Sequence, residues 1–315
     1  MRVLVAGGAG FLGSHLVERL LRRGHRVTVV DRFITSHPDN LADLRSRRLH
    51  IIRCDAARTP IGDYERVYHL ASPASPIDYE MHPIATLLAN SAGTKRLLDI
   101  AGASGGRFLL ASTSEVYGDP LVHPQPETYF GNVDPIGPRS CYDEGKRFAE
   151  ALTVAYVRAA SLNARIVRIF NSYGPRMRLG DGRMPATFIG AALAGAPIPI
   201  HGDGSQTRSL CYVGDTADGL LRAMEKGRVG EVYNIGTEDE LSVLAFARLV
   251  RRLCRSKAPL DYTDPRNEDP QRRRPDVRKS RNELGWRART PLKVGLIRTI
   301  SWYRSQLGAA STPAR

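Results

Sequence analysis

The chain has 315 residues, 42% of them hydrophobic, and a formal charge of +14 from 46 basic and 32 acidic side chains. That length buries a large core, in one main domain with a smaller appended part rather than two independent ones, and no apolar run is long enough to span a membrane. Cys54, Cys141, Cys211 and Cys254 show no C-x-x-C pairing and no nearby paired histidines, which argues against a disulfide framework or a metal site, and the arginines are dispersed over helical faces, which argues against nucleic acid.

Arg2-Val3-Leu4-Val5-Ala6 reads as a buried strand that runs into the G-x-x-G-x-x-G turn Gly7-Gly8-Ala9-Gly10-Phe11-Leu12-Gly13 and a helix from His15 to Arg23. Strand, glycine turn and helix leave room for a pyrophosphate at the positive end of a helix dipole, where N–H groups are free. Because the first strand starts almost at once, no signal peptide precedes it, and a soluble, cytoplasmic protein is expected. The next run, Arg26 to Val30, ends in Asp31, whose carboxylate would accept hydrogen bonds from adenosine ribose hydroxyls and repel a 2′-phosphate. NAD is therefore expected over NADP, with Arg32 softening the preference. Asp55, after Leu49-His50-Ile51-Ile52, is a weaker candidate for the adenine edge, with a turn cap as its alternative.

Strand-like segments at 2–6, 26–31, 49–53, 66–71, 107–112, 163–169 and 231–235 alternate with amphipathic helical stretches, among them a long one from Asn90 to Ala103. This alternation predicts an α/β fold, a Rossmann-type doubly wound parallel sheet with a smaller, non-contiguous substrate-binding part. Residues 1–175 form the NAD-binding domain in this reading, with sheet returns near 230–255 that include Val232 to Gly236 and a helix from Leu241 to Cys254. Residues 176–230 and 256–308 supply mainly the substrate part, and 309–315 read as a loose tail.

Tyr142 and Lys146 sit at i and i+4, on one helix face, where an ammonium beside a phenol favours the phenolate and makes Tyr142 a candidate base. Thr113, at the end of Phe108-Leu109-Leu110-Ala111, is placed to hold the alcohol that Tyr142 deprotonates. The densest basic tract, Gln271-Arg272-Arg273-Arg274-Pro275, suits a diphosphate or a substrate carboxylate. Cys141 precedes Tyr142, but no base is dedicated to its thiol.

The motifs His69-Leu70-Ala71-Ser72-Pro73-Ala74-Ser75-Pro76, Ser112-Thr113-Ser114-Glu115-Val116-Tyr117-Gly118, Asn132 to Arg139, Cys141-Tyr142-Asp143-Glu144-Gly145-Lys146-Arg147 and Gly204-Ser205-Gln206-Thr207-Arg208 give the chain a resemblance, nearly end to end. It resembles the extended short-chain dehydrogenase/reductases that modify nucleotide sugars, and among them the branch that decarboxylates UDP-glucuronic acid to UDP-xylose.

The resemblance implies a tightly held NAD that oxidises the sugar C4, loss of CO₂ from the resulting β-keto acid, and return of the hydride. It implies catalytic roles for Thr113, Ser114, Glu115, Tyr142, Lys146 and Arg273. It extends the cofactor set beyond Gly7, Gly10, Gly13, Asp31, Arg32 and Asp55 to Phe11, Leu12, Ala56, Leu70, Ala71, Ser72, Asn90, Ser112, Phe170, Ser172 and Arg183, together with Tyr142 and Lys146. Ser75, Asn171, Thr187, Arg208, Tyr212 and Arg273 are its substrate contacts. It also implies a homodimer built on helices around 84–103 and 141–160.

Ser114 stands where the similar 4,6-dehydratases carry Asp, which argues against dehydration. Thr187, within Met184-Pro185-Ala186-Thr187, replaces an Asn frequent in the branch, leaving uridine and thymidine nucleotides both open. A 4-epimerase, a decarboxylase that releases the 4-keto pentose with NADH, and a catalytically silent NAD-binding scaffold are the alternative readings.

Overall fold

The computed structural model describes residues 1–264 and 272–310, so Gln271 of the basic tract and the end of the tail lie outside the described residues. The first half runs β1 (Arg2–Ala6), α1 (Phe11–Arg22), β2 (Arg26–Asp31), α2 (Asp39–Ala42), β3 (Leu49–Arg53), β4 (Arg66–His69), α3 (Pro76–Met81), α4 (Pro83–Asn90), α5 (Ala92–Ala103), β5 (Arg107–Thr113) and α6 (Ser140–Ala160). The second half runs β6 (Ala164–Ile169), β7 (Ser172–Tyr173), α7 (Met184–Ala194), β8 (Ile198–His201), β9 (Thr207–Ser209), β10 (Cys211–Tyr212), α8 (Val213–Lys226), β11 (Val232–Ile235), β12 (Glu240–Ser242), α9 (Val243–Cys254), β13 (Leu260–Thr263), β14 (Arg272–Arg273), α10 (Arg278–Leu284) and α11 (Leu292–Ala310).

Among the described residues, seven strands form one parallel sheet in the order β11-β6-β5-β4-β1-β2-β3. Helices cover both faces, which is why β1 and β5 read as continuous apolar runs rather than alternating ones. The direction of strand order reverses between β1 and β4, and a crevice opens beyond the strand ends there. This is the Rossmann-type doubly wound architecture.

Three local features depart from the sequence reading. The helix expected from Asn90 to Ala103 is two helices, because the backbone breaks at Ser91 (φ −107°, ψ −82°). Side chains there bond back to the preceding turn: Ser91 Oγ donates to Leu87 O (2.8 Å) and Asn90 Nδ2 to Thr86 O (2.9 Å). Helix α8, inside the segment assigned to the substrate part, buries Leu220, Leu221 and Met224 in the core under β1 and β2. Conversely, the helix expected from Leu241 starts at Val243 after a short strand and does not return to the main sheet; its Phe246, Ala247 and Val250 pack with Phe188, Ile198, Leu296 and Ile300 in a second core. Apolar faces alone do not say which of two cores they cover. The sheet return is β11, paired with β6, and α10 lies against it.

Candidate active site

The strand ends, α1, α6 and the second core enclose a cavity of about 830 Å³. Gly7, Gly10, Phe11, Leu12 and Gly13 line one side, and Thr113, Ser114, Glu115, Tyr142, Lys146, Asn171, Arg183, Thr187, Arg208 and Arg273 line the rest. Leu70, Ser72, Ser75, Ser112, Phe170 and Ser172 also reach its wall. A smaller recess beside Gly7 is formed by Asp31, Arg32, Asp55, Ala56 and Ala71.

The glycine turn fits close approach by an anionic group. Gly7 has φ +78°, and a Cβ there would lie 2.6 Å from Ala71 N; a Cβ on Gly13 would lie 2.0 Å from Gly7 O. With those side chains absent, α1 begins at Phe11 directly against the cavity, and its first N–H groups are available to a phosphate. Asp31 is tied into the neighbouring loop: Ala9 N donates to Oδ2 (3.0 Å), and Phe33 N (2.9 Å) and Ser36 Oγ (2.7 Å) donate to Oδ1. Asp55 caps its own turn, accepting from Ala57 N (2.8 Å), and its other oxygen pairs with Arg32 at 2.8 Å.

Tyr142 and Thr113 meet across the α6–β5 seam. Burial pushes the Tyr142 phenol up to about 12, while a hydrogen bond with the Thr113 hydroxyl pulls it down. The simple expectation that Lys146 lowers this phenol is therefore not met by the protein alone: Lys146 Nζ lies 5.9 Å from the Tyr142 ring centre and donates to Ala111 O at 2.9 Å. Burial brings Lys146 down to about 8, opposed by the Glu150 carboxylate.

The second charged group is built around Glu115, one residue past Ser114 in the 3-10 turn Ser114–Tyr117. Arg139 and Arg273 both pair with its carboxylate; Arg273 Nη2 donates at 3.0 Å, and Arg273 Nε is buried with no hydrogen-bond partner. Burial works against the Glu115 charge, but Arg273 and Arg139 outweigh it and hold its pKa below the ordinary value. Asp143, 3.8 Å from Arg139, is driven the other way, to about 7, by burial and by Glu115. Arg208 adds a further positive charge to the Glu115 field, and its Nη1 donates to Thr207 O at 2.8 Å.

Two expected contacts lie off the cavity wall. Asn90 is fully buried behind it, and its Nδ2 donates to Ser72 Oγ at 2.9 Å. Tyr212 packs edge-on against Tyr173, 5.9 Å between ring centres, under Arg298. Its place next to a strand end in sequence did not reveal the direction of its ring.

Several wall residues carried no clear sequence signal. Tyr79, Asp78, Arg176, Arg178, Trp302 and Tyr303 line the cavity, as do Ile34, Thr35 and Ser36 of the β2–α2 loop. Tyr79 stacks on Tyr142, and only its position three residues beyond the Ser-Pro-Ala-Ser-Pro motif hinted at a site role.

Residues 3–236 match the NAD dependent epimerase/dehydratase family, and the chain belongs to that family. Within it the sequence is similar to the UDP-glucuronic acid decarboxylases: it is 46% identical over 308 residues to UDP-glucuronic acid decarboxylase 1 of Arabidopsis thaliana, covering 98% of this chain and 71% of that protein. Among solved structures, UDP-glucose 4-epimerase of Thermotoga maritima superposes with a TM-score of 0.89 at 31% identity, over 98% of this chain and 100% of that one. The UDP-glucuronic acid 4-epimerase of Bacillus cereus, solved with UDP-glucuronic acid and NAD, gives 0.88 at 28% identity, over 97% and 100%.

Proposed function

We propose that this enzyme is an NAD-dependent nucleotide-sugar decarboxylase that converts UDP-glucuronic acid to UDP-xylose. The observation that carries the reading is the pair Arg139 and Arg273 around Glu115, a cationic corner next to Thr113 and Tyr142 and suited to a substrate carboxylate. Similarity to decarboxylases over 98% of the chain supports the same choice.

Gly7, Gly10 and Gly13, with the start of α1, would hold the pyrophosphate of NAD, and Asp31 has capacity for a ribose hydroxyl beyond its three protein donors, since a carboxylate accepts about four. When bound, NAD would supply the acceptor for the sugar C4 hydride and the donor for its return. Thr113 Oγ1 holds the C4 hydroxyl while the Tyr142 oxygen accepts its proton, the phenol being drawn down by the Thr113 hydroxyl, and Lys146 would hold the nicotinamide ribose. With C4 a ketone, the C6 carboxylate belongs to a β-keto acid, and the C5–C6 electrons pass toward the ketone oxygen as CO₂ leaves. Ser114 and Glu115 lie toward C5, Arg273 holds the carboxylate, and Asn171 and Arg208 serve the diphosphate. After C5 takes up a proton from water, in place of the CO₂ lost, Tyr142 gives its proton back to the C4 oxygen.

The test is incubation of the purified protein with UDP-glucuronic acid, with and without added NAD, following CO₂ and the nucleotide product by mass spectrometry. UDP-xylose with CO₂ and no net NADH is the expected result. UDP-4-keto-pentose with NADH would move the assignment to the truncated cycle, and turnover only of a neutral UDP-hexose or a thymidine sugar would overturn the substrate.

A homodimer is part of the same reading. Met81 on α3, Ile84, Leu87 and Leu88 on α4, and Phe148 on α6 are exposed, and α4 and α6 pack side by side. That apolar face is what a two-fold helix bundle would cover. Light scattering should give twice the chain mass, and Leu88→Glu with Phe148→Glu should give a monomer. No helix among the described residues is long and apolar enough to cross a membrane. The four cysteines are free thiols, three of them buried, which supports a reducing, cytoplasmic setting.

A further inference from the structure

Lys146 is buried with its ammonium on Ala111 O, and a cation there needs a counter-charge. One turn further along α6 lies Glu150, itself buried. Its Oε1 accepts from Ser112 Oγ at 2.6 Å, and Arg168 of β6 grips both oxygens, Nε at 2.9 Å from Oε1 and Nη2 at 2.7 Å from Oε2. Arg168 Nη1 in turn donates to the Tyr117 hydroxyl at 3.0 Å. Ser112 adjoins both Ala111, which takes the Lys146 proton donor, and Thr113, which meets Tyr142.

We propose that Glu150 is a positioning residue of the reaction, pinning β5 to α6 through Ser112 and supplying the negative charge against which the Lys146 ammonium is buried. It touches neither substrate nor cofactor in this reading and acts through Lys146 and Ser112. The geometry explains why Ser112, expected at the cofactor, has its hydroxyl turned to the helix instead. Other titratable or charged groups around Lys146 are Tyr142 on α6 and His69 on β4, where burial lowers the imidazole first and Lys146 lowers it further. Neither supplies a negative charge at neutral pH. Among the described residues, Glu150 is the charge that acts on Lys146 against its burial. Arg168 holds the carboxylate from its other side through charge-assisted hydrogen bonds to both oxygens.

The proposal rests on the assigned role of Lys146 but not on the sugar, so its first test needs no substrate. NMR of the NAD-loaded protein with ¹³C-lysine labelling, the Lys146 resonance assigned by its absence in Lys146→Met and followed across pH, reads the lysine titration directly. Glu150→Gln should move that titration down by about one pH unit or more, the usual effect of removing an adjacent opposite charge. Because Glu150→Gln strands Arg168, the double variant Glu150→Gln/Arg168→Met removes the buried pair together and should move the titration down by less, since a positive charge leaves with the negative one. Glu150→Asp should restore most of the wild-type titration. In steady-state assays the alkaline limb of kcat should move down with the lysine. An unchanged Lys146 titration in both Gln variants, or a loss of kcat equal at every pH, would reduce Glu150 to packing and overturn the proposal. If the wild type fails to turn over UDP-glucuronic acid, the substrate assignment falls while the NMR titration still decides the role of Glu150.

Discussion

The ring of Tyr79 lies flat on the ring of Tyr142, 5.2 Å between centres and 7° from parallel. Helix α3, capped by Ser75 and started by Pro76, thus braces the phenol that α6 presents to the cavity. Tyr79→Ala should cost about 3–5 kcal/mol in chemical denaturation, because it empties a buried aromatic site. It should also lower kcat by about tenfold or more by freeing the Tyr142 ring. The Tyr79 hydroxyl is buried without a hydrogen-bond partner, so Tyr79→Phe should keep the stack and change stability by less than about 1 kcal/mol.

Tyr142→Phe keeps the stack and removes the acid–base oxygen. Turnover of UDP-glucuronic acid should fall by about 100-fold to 10,000-fold, with NAD retained on the purified protein. Loss of the cofactor in this variant would point to a binding role instead.

Lys146 titrates near 8 in the fold, against 10.5 when exposed, because burial disfavours its charge. At pH below 8 both folded and unfolded chains carry the proton and the fold bears the whole penalty, about 3 kcal/mol. Between 8 and 10.5 the unfolded chain binds more proton, so the penalty is relieved as pH rises. In NAD-free protein Lys146→Met should therefore be stabilising at neutral pH, and urea melts should show the gain fading across that window.

Asp143 behaves oppositely. Its carboxyl is raised from 3.8 to about 7 by burial and by Glu115, so the folded chain binds more proton through that interval and stability from this group falls as pH rises through it. Asp143→Asn should gain stability relative to wild type from pH 4 to 7 and hold the gain above, measured by melting temperature in matched buffers.

Arg273→Met leaves the half-buried Glu115 with Arg139 as its close partner. Stability should drop by about 1.5–3 kcal/mol, because Arg139 still compensates the charge, and the KM for UDP-glucuronic acid should rise more than kcat falls. Unchanged KM would argue that the carboxylate binds elsewhere.

Gly13→Ala places a methyl group 2.0 Å from Gly7 O and 2.8 Å from Gly8 Cα, and the atoms it meets belong to the backbone of the turn. Overpacking of this kind costs about 1–3 kcal/mol, and NAD affinity, read by calorimetry, should fall by about tenfold or more as the cradle deforms.

The alternation of apolar runs and helical stretches was enough to read the parallel sheet, since strands covered on both faces are largely apolar segments: β1, β2, β6 and β11 fall within a residue of their expected ends, as does the exposed edge strand β3. Gly7, Gly10 and Gly13 were legible for a similar reason, because backbone crowding admits no side chain and therefore fixes residue type. Tyr142 and Lys146 were legible from helical spacing. Their protonation was not, because burial, which no local pattern reports, outweighs the effect of one on the other. The partners of Glu115 come from residues 24 and 158 positions away, and Tyr79 reaches Tyr142 from another helix.

Local sequence thus determined what repeats locally: the strands, the glycine turn, the Tyr and Lys on one helix face. Tertiary structure alone decided which core α8 and α9 cover, that Tyr212 turns from the cavity while Tyr79 turns into it, and that Glu150 stands behind Lys146. These depend on side-chain direction and on charge interactions in a low-dielectric interior, which act through space between residues far apart in the chain.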